Sequence, residues 1–254
     1  MNELSVAANL ASVRRADLRR RAGKPFFVAM SVLLLIVVVI GFGRTLFFRA
    51  AFDVPPIPPY LFVHGAVLTS WFLWVLVQSS LVAAHRTDLH RRFGVVGVGL
   101  AGCVVVVTVV TGLSFLPRMR ASGADFEAAA LPLTTTVITT WLTLADFIVL
   151  VTLAVAYRRR PEIHKRLMLW ASIIIVGAAG SRIPATLAAT GLSPTFAVIP
   201  LVLLTVCPVA YDVVVRGRPH IATIVCLALQ MLTVFATNVL AAKETVQGFV
   251  LTLH

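Results

Sequence analysis

Four of the six histidines, His85, His90, His164 and His220, fall in the short polar breaks that separate long apolar runs. Neutral imidazole is the commonest protein ligand for zinc, iron and copper. His90, His164 and His220 each open an apolar run on what charge patterning makes the same side of a membrane, so they sit at similar depth, with His85 as a fourth candidate. Three imidazoles from different helices can enclose one ion and leave a position open for water or substrate. Two can instead be the axial ligands of a haem b whose propionates pair with nearby arginines. A third reading gives these side chains no cofactor: they close helix ends and meet headgroups. No HxxxH or HExxH spacing is present to decide among the three. His64 stands apart, since 21 residues of helix separate it from His85, roughly 30 Å at 1.5 Å per residue. It is expected to bond a neighbouring helix, or to serve a second haem or a proton at the opposite face.

The elements that must position these side chains follow from composition. Of the 254 residues, 59% are hydrophobic and 13% charged, whereas soluble domains carry about 25% charged residues. Apolar runs cover Pro25 to Phe47, Tyr60 to Ala84, Arg92 to Leu116, Leu133 to Tyr157, Lys165 to Ala188, Pro194 to Val215 and Ile221 to Ala242. Unpaired backbone is not tolerated in hydrocarbon, so each run is expected to be a helix. The predicted fold is all-α: a polytopic membrane protein with a bundle of seven transmembrane helices over residues 25–242. A basic arm, 1–24, precedes it and a short tail, 243–254, follows. The arm passes into Gly41-Phe42-Gly43-Arg44 without a small-residue cleavage pattern, so the first run reads as a retained helix rather than a signal peptide.

Lys and Arg outnumber Asp and Glu by 22 to 10. Most of them lie in the arm and in the loops after the second, fourth and sixth runs, as in Arg86, Arg91, Arg158, Arg159, Arg160 and Arg218. Cytoplasmic loops hold such an excess, which predicts N-in, C-out in a bacterial inner membrane. The basic partner is then the anionic headgroup layer of the lipid bilayer and not nucleic acid. A homo-oligomer or a partner in a membrane complex is compatible with the sequence. Cys103, Cys207 and Cys226 all lie in apolar runs without CxxC spacing and read as small core residues.

Polar side chains inside the runs map the expected interior. His64, Trp71, Gln78 and His85 recur every seventh residue on the second helix, and Thr223, Gln230 and Thr237 do so on the seventh. Thr136, Thr139, Thr143 and Asp146 form one face of the fourth. Asp146 needs a partner at mid-membrane, and Arg182, the one cation within a predicted span, is the candidate. Asp212 is expected to be solvated or paired with Arg216 at the interface. Small residues, Gly94, Gly97, Gly99, Ala101 and Gly102 in the third helix and Gly177 to Ser181 in the fifth, predict close backbone approach, and Pro184, Pro200 and Pro208 predict kinks.

The stretch from His64 through Gln78 to Leu89-His90-Arg91-Arg92-Phe93-Gly94, the run Arg158-Arg159-Arg160-Pro161-Glu162-Ile163-His164-Lys165-Arg166-Leu167-Met168, and Arg216-Gly217-Arg218-Pro219-His220 carry a resemblance. Together they resemble a group of bacterial seven-helix inner-membrane proteins with LHRRLG and RRRPExHKRLM signatures and no established activity. That likeness implies a class and no reaction. More distantly the chain is similar to b561-type membrane cytochromes, which implies haem and electron transfer, although those carry paired histidines at both faces and only His64 lies at the second face here. Inner-end histidines also resemble those of zinc hydrolases related to ceramidases, whose HxxxH pair the seventh helix lacks. The function expected is therefore a membrane protein whose histidine cluster binds a transition metal (zinc, copper or iron) or haem iron for redox or hydrolytic chemistry. The alternative is a non-catalytic accessory or lipid-binding subunit.

Overall fold

The apolar runs do form helices, and a computed structural model describes them for residues 25–54 and 56–253; the basic arm and His254 lie outside the described residues. The elements are α1 (Pro25–Gly41), α2 (Pro59–Ala83), α3 (Thr87–Leu113), α4 (Phe115–Ala121), α5 (Ala130–Ala156), α6 (Pro161–Gly180), α7 (Ile183–Ala189), α8 (Val198–Arg216), α9 (Ile221–Ala241) and α10 (Glu244–Thr252). Six spans, built on α2, α3 with α4, α5, α6, α8 and α9, are long and apolar enough to cross a membrane. The shorter α1 continues through a π-helical turn, Gly43–Phe47, so seven apolar helical segments run in the order expected. Among the described residues there is no strand.

Local chemistry sets the helix ends. Pro59 and Pro161 occupy first-turn positions, where a missing N–H costs nothing. Gly217, at φ 77, closes α8 in the left-handed conformation that glycine adopts without penalty. The α6 start lies four residues ahead of the expected Lys165, because Pro161 and Glu162 supply a proline and an acid to the first turn. The expected single helix from Lys165 to Ala188 is broken at Ser181 and Arg182, and Pro184 sits in the first turn of α7. Pro208, by contrast, is buried within an uninterrupted α8. Beyond α9 the tail carries α10, whose Val250 packs with Leu116 and Leu133 in a small cluster apart from the main core.

One helix is central. Over an 18-residue stretch of α6, 61% of residues are buried in the protein, against 11% over the same length of α2 and 28% of α5. The outer helices therefore turn apolar side chains such as Val95 and Val214 outward, where lipid replaces a core as their apolar environment. Around α6 the packing is close: an added Cβ on Gly41 of α1 would fall on the Ala179 backbone, and one on Gly180 would meet Leu201 of α8. Trp71 of α2 is fully buried, donates its indole N–H to Ser172 of α6 at 3.2 Å, and meets Phe147 of α5 edge-on at 5.0 Å. The small-residue stretch of α3 is used less than expected. Gly97 lies against Trp74, but Gly94, Gly99 and Gly102 have nothing near their missing Cβ. Ala101 and Gly102 instead line an apolar groove of about 280 Å³ between α3 and α5.

Candidate functional site

Two of the expected histidines meet. His90, in the first turn of α3, and His164, in the first turn of α6, have ring centroids 6.2 Å apart with planes inclined at 72°. Two imidazoles that share an ion through bonds of about 2.0–2.1 Å keep their ring centres within roughly 6.5 Å, so this pair is within sharing distance. The His164 ring is fixed by donating Nδ1–H to the Ala154 carbonyl at 2.8 Å, which leaves Nε2 as the atom with a free lone pair. His90 Nδ1 is buried without a hydrogen-bond partner, as are both side-chain amide atoms of Gln78, whose backbone carbonyl lies against the His90 ring. Buried polar groups are nearly always satisfied, and each unpaired one costs about 1–3 kcal/mol.

The remaining histidines are elsewhere, and the expected convergence of three does not form. Among the described residues no group of three or more His, Cys, Asp or Glu side chains is placed to hold a metal ion. His220 is used as the N-cap of α9: its Nδ1 accepts from the Ala222 N–H at 3.0 Å. Burial, with the Arg166 and Arg216 charges close by, lowers the His220 pKa, which favours the neutral ring that the cap requires. His85 is exposed at the α2–α3 turn with φ 61. His64 lies toward the other end, its Nδ1 3.3 Å from the Val107 carbonyl of α3.

Two residues from His164 lies a feature that the sequence reading missed. Arg166 is 3% exposed and Asp212 of α8 is 0% exposed. Arg166 donates through Nε to Asp212 Oδ1 at 3.0 Å, again through its NH2 group, and through NH1 to Glu162 at 2.8 Å. Asp212 further accepts from Thr223 Oγ1 and from the His220 N–H at 3.1 Å. Tyr211 lies under the Arg166 guanidinium and stacks on Phe26 of α1 at 4.1 Å. The expectation that Asp212 is solvated or paired with Arg216 is therefore corrected: it is the buried hub joining α6, α8 and α9. Starting α6 at Pro161 puts Arg166 more than a turn inside the helix, facing the bundle.

The expected pairing of Asp146 with Arg182 is also absent. Asp146, 8% exposed on α5, accepts from Thr233 Oγ1 of α9 at 2.6 Å. Thr233 stands between Gln230 and Thr237 on the α9 face read as polar, but was not itself singled out. Arg182 turns instead to the Ala178 carbonyl and lies 5.0 Å over the Phe42 ring. Gln230 Oε1 and Thr237 Oγ1 are buried without partners, whereas Thr136 and Thr143 bond carbonyls of their own helix.

The fold and these contacts define an all-helical, multi-pass membrane protein whose apolar core holds a few buried polar contacts. No family model, curated protein or solved structure matches the chain.

Proposed function

We propose that this membrane protein binds one transition-metal ion between α3 and α6, with His90 and His164 as ligands. The observation that carries the reading is the pair of imidazoles at 6.2 Å, with His90 Nδ1 buried and unpaired. The bond from His164 to the Ala154 carbonyl supports it, because a ligating histidine commonly donates its second ring N–H to such an oxygen. Imidazole ligands suit zinc, copper and iron. A pair of imidazoles leaves positions for water or substrate, which is what hydrolytic or redox chemistry at a metal needs.

The protein purified in detergent should carry about one equivalent of zinc, copper or iron by elemental analysis, in line with a single mononuclear site. His90→Ala and His164→Ala should each weaken binding at least about tenfold, while His220→Ala and His85→Ala should not. A Soret band in a red preparation would transfer both ligands to haem iron. A preparation with neither metal nor haem would remove the reading and leave the accessory subunit.

The same end is assigned to the cytoplasm on the strength of Arg86, Arg91, Arg158, Arg159 and Arg160 in the loops beside it. A topology reporter fused after Tyr157 should then read as cytoplasmic and one fused after Ala121 as external. The reverse pattern would turn the bundle over.

A further inference from the structure

Near the middle of α5 a carboxyl group lies among apolar helices without a cation. Asp146 is about 24 Å along the helix from Ala130 and about 15 Å from Ala156, at 1.5 Å per residue, and is 8% exposed. Its neighbour Phe147 is fully buried against Trp71, whose indole bonds Ser172 of α6, so Asp146 stands at the level of the main core. Among the described residues Asp146 forms no ion pair, and its one hydrogen bond is the 2.6 Å contact in which Oδ2 accepts from Thr233 Oγ1 of α9. The elements packed against α5 bring no charge to this level. α3 and α6 carry their charged side chains and histidines in the first two turns, up to Arg92 and Arg166, and α10 carries only Glu244, in its first turn. α9 carries none; of the thiols, Cys103 is exposed on α3 and Cys226 lies about two turns from Thr233 on α9. On α2, His64 lies about two turns from Trp71 and is set against the Val107 carbonyl of α3.

An ionised carboxylate in an apolar interior costs far more than one hydroxyl returns, so such a group is either matched by a cation or keeps its proton. A hard cation such as calcium or magnesium takes about six or more oxygen ligands, and one hydroxyl does not make such a set. A proton needs none. Exchange of that proton calls for polar groups in the same seam, and α9 supplies them. Gln230, Thr233 and Thr237 share one helical face at spacings of three and four. Gln230 Oε1 and Thr237 Oγ1 are buried with no hydrogen-bond partner, which leaves them free to hold water during exchange. The seam also lies close to lipid, since Ala145 beside Asp146, and Leu232 and Val234 beside Thr233, are exposed. We propose that Asp146 is a proton-binding site in the membrane interior, carrying its proton on Oδ1 while Oδ2 accepts from Thr233, and exchanging it with water when the α5–α9 contact opens. Release leaves the carboxylate and hands the proton to water, and uptake reverses the step with no other bond altered.

Infrared spectroscopy of the full chain in maltoside detergent reads the protonated form directly, because carboxylates in water are ionised near pH ~7 and lack the carbonyl stretch of a carboxylic acid. At that pH the wild type should show one such band, and in D2O it should move to lower frequency as the proton exchanges. Asp146→Asn should lose the band. Thr233→Val removes the hydrogen bond to the carbonyl oxygen and should move the band to higher frequency. Asp146→Asn should fold, since the amide has the shape of a neutral acid and keeps the acceptor for Thr233. If it does not, dicyclohexylcarbodiimide, an apolar reagent that adds to protonated carboxyl groups, maps the protonated residue in the wild type by peptide mass spectrometry. Asp146 should then carry the adduct, and the exposed Asp125 and Glu127 should not. The absence of an acid band that depends on Asp146, an adduct missing from Asp146, or a band that never shifts in D2O would overturn the proposal.

Discussion

Replacement of Asp212 by Leu should destabilise the bundle by about 3–5 kcal/mol, the usual consequence of removing one member of a buried ion pair. The size follows from what is left behind. Arg166 would remain 3% exposed with only Glu162 to balance it, and Thr223 and the His220 N–H would both lose their acceptor. Asp212→Asn keeps an acceptor oxygen but not the charge, so it should fall between the wild type and Asp212→Leu. The double variant Arg166→Met/Asp212→Leu removes both charges together and should be more stable than Asp212→Leu alone, since an apolar pair of similar volume avoids the uncompensated charge. Thermal unfolding in detergent reads all three, and wild-type stability in Asp212→Leu would contradict the buried pairing. A functional effect should accompany the loss. His164 sits one half-turn ahead of Arg166, so freeing Arg166 also loosens the first turn of α6 and should weaken metal binding without any change to a ligand.

Seven apolar helical segments could be read from the sequence because the bilayer allows so few solutions: a run of about 20 apolar residues has to satisfy its own backbone. Depth could be read as well, which is why His90 and His164 were both assigned to one end and do meet. Lateral position could not. Periodicity states which face of a helix is polar, but not which neighbour that face meets, so Asp146 was assigned to Arg182 when Thr233 of α9 was the partner. His220 shared the right depth and was nevertheless taken by its own helix as a cap. Arg166 and Asp212 were hidden for another reason. Charges near span ends are usually solvated, and only the Pro161-Glu162 helix start, with Glu162 four residues before Arg166, hinted that this arginine lies inside the helix.

Gly41→Val should be about as damaging as loss of Asp212, by a different route. At Gly41 the ideal Cβ position comes within 2.2 Å of the Ala179 carbonyl oxygen of α6, which, unlike the end of a flexible side chain, has no rotamer to which it can retreat. Overpacking of this kind typically costs about 1–3 kcal/mol, and a rigid obstacle puts Gly41→Val at or above the upper end. Gly177→Ala is the matched control: it lies two residues from Ala179 on α6, has nothing near its missing Cβ, and should be neutral or stabilising by up to about 1 kcal/mol through helix propensity. Equal thermal stability of Gly41→Val and the wild type would show that α1 does not rest on α6 as described. The two ends of the molecule should respond differently. Gly41 lies three residues before Arg44, whose NH1 donates to the Ala185 carbonyl, so moving α1 off α6 should also break that α1–α7 contact. His90 and His164 are held by α3, α5 and α6, away from that contact, and in the folded fraction of Gly41→Val the metal binding proposed for them should be unchanged.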